Sequence, residues 1–250
     1  YAVFYFLIYV LSLPGGIIAD RLQNFKGTII AGLVVMALGY GILSVPVFAE
    51  TSGFSWVLVL TCFALFIIAF GNGLFKGNLQ AIVGQMYDNF EAEAAKRGPE
   101  ALAIAKSKRD SGFQIFYVFI NIGGVVAPFI APLLRSFWLE MHNYTYNADL
   151  PRLCHEFINK GQAMDAADMS NLTALAEQVG HTGAVNAEFC DSYLNIFNTG
   201  VHFSFIASVV AMLISLIIFI LIKKNLPNPA KKEKAAVNVP TQQEIQSDAK

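Results

Sequence analysis

The chain has 250 residues, of which 55% are hydrophobic and only 14% are charged. A typical globular domain has about 45–50% apolar and about 25% charged residues, so this composition excludes an ordinary soluble domain. The formal net charge is −1, and this balance gives no sign of a nucleic-acid partner.

Five apolar stretches are long enough to cross a bilayer as helices. A hydrocarbon core about 30 Å thick needs about 20 apolar residues per helix, whereas barrel strands are about ten residues long and alternate polar with apolar residues. The sequence therefore predicts an all-α integral membrane protein. The predicted spans are residues 1–19, 28–49, 54–75 (an extension to 87 stays open), 112–134 and 193–222.

Lys and Arg residues lie in alternate connections between these spans. They occur in the first connection at Arg21 and Lys26, in the third over residues 96–109, and again after residue 222. Because basic loops stay in the cytoplasm, these three segments are predicted to lie inside and residues 136–192 outside. A protein whose N-terminus starts in the cytoplasm would then need one more helix before this chain.

The spans divide the chain into four predicted parts. Residues 1–135 hold four membrane helices, residues 136–192 form an extracytoplasmic loop insertion, and residues 193–222 form a further membrane helix. The tail, residues 223–250, contains Pro, Lys, Gln and Ser in a composition typical of a disordered cytoplasmic linker.

The first cytoplasmic connection reads GGIIADRLQNFKGTIIAG over residues 15–32. Gly15 and Gly16 permit close approach between helices. Asp20 and Arg21 place opposite charges where helix ends meet, and such a carboxylate can hold a cation or a helix N-terminus in one conformation only. The simpler alternative is a short polar turn with an exposed ion pair worth about 0–1 kcal/mol.

The third span carries one lysine, Lys76, in the run GNGLFKGNLQAIVGQMY over residues 71–87. Ala69, Gly73 and Gly77 lie four residues apart, and small residues at this spacing let another helix approach closely. A lysine at the bilayer centre costs about 2.5–3.5 kcal/mol on insertion scales. Either the span ends near Lys76 and the side chain reaches the headgroups, or a longer helix keeps it inside, facing a cavity.

The fourth span follows Arg109 and Asp110 in the run KRDSGFQIFYVFINIGGVVAP over residues 108–128. Asn121 lies well inside the span. Its amide can donate to a carbonyl and accept from an amide or ammonium, which suits a peptide ligand. The alternative is an interhelical hydrogen bond, commonly worth less than about 2 kcal/mol.

These stretches resemble one family. Gly16-x-x-x-Asp20-Arg21, followed by Lys26, resembles the cytoplasmic loop motif of the major facilitator superfamily and, more narrowly, a signature of its proton-dependent oligopeptide transporter (POT/PTR) family. Asn24 stands where that pattern has Gly. Because Asn tolerates left-handed backbone geometry, the turn can survive this difference.

Two further stretches resemble the same family. The run around Lys76 is similar to the family's fourth helix, whose lysine faces the substrate cavity, although Gly77 replaces the usual Pro. Residues 108–128 resemble its second signature, with Asn121 in the place of a cavity Asn. Tyr9 lies eleven residues before Asp20, which matches the spacing of a cavity Tyr.

The resemblance implies a partial helix bundle of the major facilitator type, with spans corresponding to helices 2–6 of twelve. It implies proton-coupled symport of di- and tripeptides across the inner (cytoplasmic) cell membrane, with protons as the coupling ion and no cofactor. The expected partners are a first helix and a C-terminal six-helix half, without which the fragment would be inactive. Lys76, Asn121 and Tyr9 would bind substrate. The cytoplasmic gate would use Gly16, Asp20, Arg21, Arg109 and Asp110.

Two other interpretations stay open. The chain could belong to a facilitator of another small solute, such as nitrate, a drug or an amino-acid conjugate, or to a non-transporting membrane protein whose outer loop binds a partner. The sequence contains neither a phosphate-binding glycine loop nor a nucleophile elbow, so we do not expect an enzyme.

The predicted outer segment contains Cys154 and Cys190. A disulfide between them is the leading prediction, because both lie outside the cytoplasm. The spacing of nearby histidines matches no standard zinc pattern, so no metal site is predicted. In the same segment, residues 160–179 have a helical pattern that ends at Gly180, a natural residue to follow a helix C-terminus.

Overall fold

The computed structural model describes residues 2–47 and 54–227, and all regular elements within these ranges are helical. Five helical segments in them are long and apolar enough to cross a membrane, which confirms the predicted all-α fold. The last two residues of the second predicted span lie outside the described residues. So does the predicted linker from residue 228 onward.

The helices are α1 (Ala2–Val10), α2 (Ser12–Leu22), α3 (Phe25–Ser44), α4 (Phe54–Ala95), α5 (Pro99–Met141), α6 (Leu150–Lys160), α7 (Ala166–Gln178) and α8 (Ala187–Ile222). The first span consists of α1 and α2, which are separated by a break at Leu11. Pro14 follows three residues later and has no N–H to donate to the preceding turn, which accounts for the irregularity.

Helices α4 and α5 continue well beyond the predicted spans. The 42 residues of α4 extend for about 63 Å at 1.5 Å per residue, about twice the thickness of the hydrocarbon core. Residues 88–111 are rich in Ala, Glu and Lys, which favour helix without being apolar. The two helices therefore form a hairpin that projects past the core on the predicted cytoplasmic side.

Glycines allow α2 and α3 to contact the backbone of α4 directly. A Cβ atom on Gly15 of α2 would overlap the backbone carbonyl of Gly73. A Cβ atom on Gly32 of α3 would lie 2.8 Å from the carbonyl oxygen of Gly71. Because Gly71 and Gly73 are about 200° apart around α4, this helix is held between its two neighbours.

The predicted stripe of small residues on α4 is only partly right. Ala69 is fully buried, and Gly73 packs against the carbonyl of Leu11. A Cβ atom on Gly77, however, would have no described neighbour within 4 Å, and the same holds for Gly16 of α2. The close approach therefore uses both sides of α4, whereas a four-residue spacing marks only one face.

Asn78 links α4 to α2 within this contact. Its side chain is only 1% exposed, and its amide nitrogen donates to the carbonyl of Gly15 at 3.3 Å and to that of Leu74 at 2.7 Å. A buried amide without such partners is costly. These two hydrogen bonds therefore favour one register of α4 against α2.

The turn between α2 and α3 differs from the expectation for Asn24. The residue with left-handed backbone geometry is Gln23, at φ +50°. Asn24 has φ −134° and caps α3, because its side-chain oxygen accepts a hydrogen bond from the N–H of Gly27 at 3.0 Å. Asn is among the preferred N-cap residues, and the cap satisfies a backbone donor that a left-handed Asn24 would leave free.

The segment predicted to lie outside folds around a core of its own. Instead of one helix over residues 160–179, it contains two, because Gly161 takes φ +55° after α6 and Asp165 caps α7 by accepting from the N–H of Ala167. The prediction for Gly180 is confirmed by its φ of +99°. Buried side chains from this segment, the end of α5 and the start of α8 form the core: Leu139, Leu150, Leu153, Leu172, Phe189 and Tyr193 among them.

We expect Gly32→Ala to destabilise the full-length protein by about 1–3 kcal/mol, the usual cost of overpacking. The added methyl group would meet backbone atoms of α4, which cannot move aside. Gly41→Ala on the same helix is the matched control, because a Cβ atom there meets nothing described within 4 Å. Thermal unfolding in detergent measures both, and equal midpoints for the two variants would contradict the packing described here.

Candidate functional site

The structure brings Lys76 and Tyr9 together. The ammonium nitrogen of Lys76 lies 4.8 Å from the centroid of the Tyr9 ring, within the range of a cation–π interaction. Tyr9 lies eleven residues before Asp20, which is about 16 Å along a helix at 1.5 Å per residue. Because Asp20 lies in the predicted cytoplasmic connection, the ammonium group lies about half the thickness of a 30 Å hydrocarbon core away from that side.

The packing of α4 determines where the Lys76 side chain points. Leu74 and Asn78, two residues before and after it, are buried at 6% and 1% exposure. Since successive residues of a helix are about 100° apart, the position between these two faces the opposite side. Lys76 is accordingly exposed on the surface of the described bundle, as is Tyr9.

Asn72 is a polar neighbour that the sequence reasoning missed. It lies four residues before Lys76, so both belong to one face of α4. Its side-chain oxygen is buried and accepts no hydrogen bond from the described residues. An unsatisfied buried acceptor costs about 1–3 kcal/mol. The spacing Asn-x-x-x-Lys was the signal in the sequence that could have identified it.

Asn121 lies apart from this pair in the described part of the chain. It is exposed on α5 and lines an open depression of about 320 Å³ together with Val118, Ile122, Val125 and Val126. All of these residues belong to α5. Within residues 2–47 and 54–227, the structure therefore does not bring Asn121 to Lys76 and Tyr9.

Two of the predicted gate residues, Asp20 and Arg21, lie at the C-terminal end of α2, which is predicted to be cytoplasmic. Asp20 and Arg21 are both exposed, and neither forms an ion pair within 4.0 Å among the described residues. Lys26, which follows them, donates to the carbonyl oxygens of Lys223 at 2.8 Å and Leu226 at 2.6 Å. Lys26 thus ties the first connection to the end of α8, a role that its place in the motif did not predict.

Arg109 joins the parts of α4 and α5 that extend past the predicted membrane spans. It pairs with Asp88 at 2.5 Å and with Glu91 at 3.4 Å, both on α4. Asp110, the next residue, is exposed and forms no ion pair in the described part of the chain. The two acidic partners were not predicted, because only the three-dimensional hairpin places them opposite Arg109.

Cys154 and Cys190 meet inside the core of the predicted outer segment. Both are fully buried, and both carry free thiols in the structure. A hydrogen bond with Cys190, together with burial, raises the pKa of the Cys154 thiol. A disulfide requires the two sulfur atoms to lie close together, so this proximity supports the disulfide, which stays a prediction.

Five apolar spans, with a lysine stacked on a tyrosine near mid-depth, define a multi-pass membrane helix bundle. The chain belongs to the POT family, because the family model PTR2, which describes the POT family, matches residues 26–242. The fold expected from the family resemblance, a partial all-α bundle of the major facilitator type, is thereby confirmed.

Curated relatives cover part of the chain. A di-/tripeptide transporter of Lactococcus lactis subsp. cremoris is 35% identical over 50% of the chain and 20% of its own length. The uncharacterized transporter YclF of Bacillus subtilis (strain 168) is 31% identical over 55% of the chain and 22% of its own length. The dipeptide and tripeptide permease B of Aliivibrio fischeri (strain MJ11) is 30% identical over 58% and 24%. The chain thus spans about a quarter of these relatives or less, and no solved structure matches it.

We predict that the mature full-length protein contains a Cys154–Cys190 disulfide. Mass spectrometry of non-reduced tryptic peptides should show the two cysteines in one linked peptide, which separates after reduction. Cys154→Ser should leave Cys190 as a free thiol and lower the unfolding temperature, whereas Cys62→Ser, in the third span, should change neither. Finding only free thiols in protein isolated from its native membrane would contradict this prediction.

Proposed function

We propose that this chain is part of a proton-coupled symporter of di- and tripeptides that works by alternating access. The observation that carries the proposal is the Lys76 ammonium group, held against the Tyr9 ring near mid-depth of the bundle. A lysine at this depth costs about 2.5–3.5 kcal/mol unless it faces a partner or a water-filled cavity. Transporter sites of this superfamily lie at the same depth, between two halves of the protein.

The chemistry of the site matches a short peptide. A peptide in neutral water carries a carboxylate and an ammonium group, with amides between them. Lys76 has no carboxylate within 4.0 Å among the described residues, so its charge is free to pair with that of a substrate. Asn72, on the same face of α4 as Lys76, offers an unpaired amide oxygen as an acceptor. Asn121 lies apart from Lys76 among the described residues, so its proposed contact with a peptide rests on the family resemblance alone.

The names of two relatives support this substrate class. The Lactococcus protein is named a di-/tripeptide transporter and the Aliivibrio protein a dipeptide and tripeptide permease. The family match, residues 26–242, includes Lys76 and Asn121 and begins after Tyr9. We therefore extend peptide transport to the longer protein of which this chain is a part, in the inner (cytoplasmic) membrane.

The cytoplasmic residues divide into two roles in this proposal. Three residues of α2 are accessible on the surface of the described bundle: Gly16, Asp20 and Arg21. They are therefore available to a C-terminal half that closes against this bundle. Arg109 is already engaged by two carboxylates and braces the hairpin of α4 and α5, with Asp110 at its edge. Opening and closing of the transporter would then form and break contacts of α2, while the ion pairs of Arg109 with Asp88 and Glu91 stay in place.

Protons supply the driving force. Each proton that moves inward down the membrane potential releases about 2.3 kcal/mol per 100 mV, which can drive peptide uptake against its gradient. Basic residues in the first connection, the hairpin and the start of the tail support a cytoplasmic location for these segments.

Uptake of a labelled dipeptide by the full-length protein in liposomes tests this function. An inward proton gradient should drive accumulation, and Lys76→Gln should lower the initial rate at least tenfold because the carboxylate loses its partner. Lys160→Gln, on the exposed end of α6, is the control and should keep the rate of the wild type.

Three results would count against the proposal. Accumulation that persists after a protonophore has collapsed the gradient would exclude symport. An unchanged rate in Lys76→Gln would exclude the cavity role of this lysine. Transport of nitrate or a drug in place of dipeptide would assign the protein to another branch of the superfamily.

A further inference from the structure

Arg135 lies at the end of α5 opposite to the cytoplasmic hairpin, enclosed by aromatic rings. Its guanidinium carbon is 4.3 Å from the ring centroid of Tyr146 and 5.4 Å from that of Phe197. These two rings stack on each other with their centroids 5.9 Å apart and their planes within 16°. The arrangement holds the flat guanidinium group in a fixed orientation.

The donors of this cluster lack acceptors in the described part of the chain. Arg135 has no carboxylate within 4.0 Å there. The Nε atom of Arg135 and the Nε1 atom of Trp138 are both buried and unbonded. Both side chains pack on Gly200 of α8, where an added Cβ would lie 3.1 Å from Trp138 and 3.4 Å from Arg135. Two buried N–H donors without partners thus belong to side chains that pack on the same residue of α8, at a cost of about 1–3 kcal/mol each.

A cavity of about 230 Å³ extends from Arg135 between α5 and α8. Its walls are mostly apolar and include Pro132, Val201 and Phe205. Ser204 also lines it, but its hydroxyl already lies 2.9 Å from the carbonyl oxygen of Ala131. The cavity therefore has one cationic end and an apolar body.

The position of Arg135 identifies the kind of ligand. It follows directly after the predicted span 112–134, and Trp and Tyr side chains such as Trp138 and Tyr146 are enriched at the level of the lipid headgroups. Asn121 is about 21 Å away along α5 at 1.5 Å per residue, so Arg135 does not share its level. Guanidinium groups bind phosphate through paired hydrogen bonds.

We propose that Arg135 and Trp138 bind the phosphodiester group of an anionic glycerophospholipid, whose acyl chain occupies the cavity between α5 and α8. An anionic lipid is favoured over a zwitterionic one because the charge of Arg135 has no carboxylate to balance it. The buried Nε distinguishes this site from an ordinary interfacial arginine, whose head stays in the bulk headgroup layer. The lipid is therefore expected to remain bound during purification.

Native mass spectrometry of the full-length protein in detergent tests the site. Phosphatidylglycerol, phosphatidylcholine and inorganic phosphate are added separately. The wild type should retain phosphatidylglycerol in preference to phosphatidylcholine, and Arg135→Gln should lower this retention at least fivefold. Arg135→Lys should retain an amount of phosphatidylglycerol between those of the wild type and Arg135→Gln, since it keeps the charge but loses the paired donors. Arg152→Gln is the control, because this arginine lies on α6 and pairs with Glu156.

A second variant covers the possibility that Arg135→Gln fails to fold. Ser208→Leu narrows the cavity and leaves Arg135 in place, so it should also lower phosphatidylglycerol retention at least threefold. Equal retention in the wild type and Arg135→Gln would overturn the proposal. So would equal binding of both lipids, or inorganic phosphate that displaces phosphatidylglycerol completely. Arg135→Gln could also lower the thermal stability by the same amount with and without added lipid. That result would contradict the proposal, because it would mean that Arg135 pairs with a group of the protein and not with a lipid.

Discussion

Helix α4 touches the backbones of α2 and α3 at points where glycine leaves no side chain between them. Gly73 meets α2 and Gly71 meets α3, so the helix is clamped from two sides. Asn78 adds hydrogen bonds across the first of these contacts. With two sides of α4 occupied, Lys76 has only the open face, and that face lies beside Tyr9. The geometry of the candidate site thus follows from contacts that involve none of its own residues.

Three cationic side chains have different partners at different depths of the predicted bundle. Arg109 lies in the hairpin beyond the hydrocarbon core and pairs with two carboxylates. Lys76 and Arg135 lie closer to the core and rest on aromatic rings instead. A ring attracts a cation without cancelling its charge. Both cations therefore keep an unbalanced charge within the described part of the chain, which is what binding to an anionic group requires.

Much of the fold could be predicted from the sequence, because a bilayer demands long apolar helices and basic loops. The family could be recognised as well, since motif residues such as Asp20 and Lys76 stand at fixed spacings. Hydropathy could not predict how far α4 and α5 continue beyond the membrane. Ala, Glu and Lys favour helix without being apolar, so a hydropathy pattern does not mark these extensions. It also could not predict that Asn24 caps a helix while Gln23 takes the left-handed position, because both are options of one short turn.

The candidate site residues remain predictions, and their contacts could not have been predicted from the sequence. The pairing of Tyr9 with Lys76 joins positions on different helices, and no spacing along the chain encodes it. The same holds for the acidic partners of Arg109 and the two buried thiols. Asn72 was missed for a different reason: its side chain matters only because its oxygen is buried and unpaired.

The proposed transport role of Lys76 requires its charge to face water. It can be tested by replacing Lys76 with Cys in full-length protein whose other cysteines are Ser, then adding water-soluble aminoethyl methanethiosulfonate. Reaction would rebuild a side chain that ends in an ammonium group. We predict that dipeptide uptake, lost in the variant, returns to at least a third of the wild-type rate. Labelling by lipid-soluble maleimide alone, or complete aminoethylation without recovery of uptake, would contradict the account.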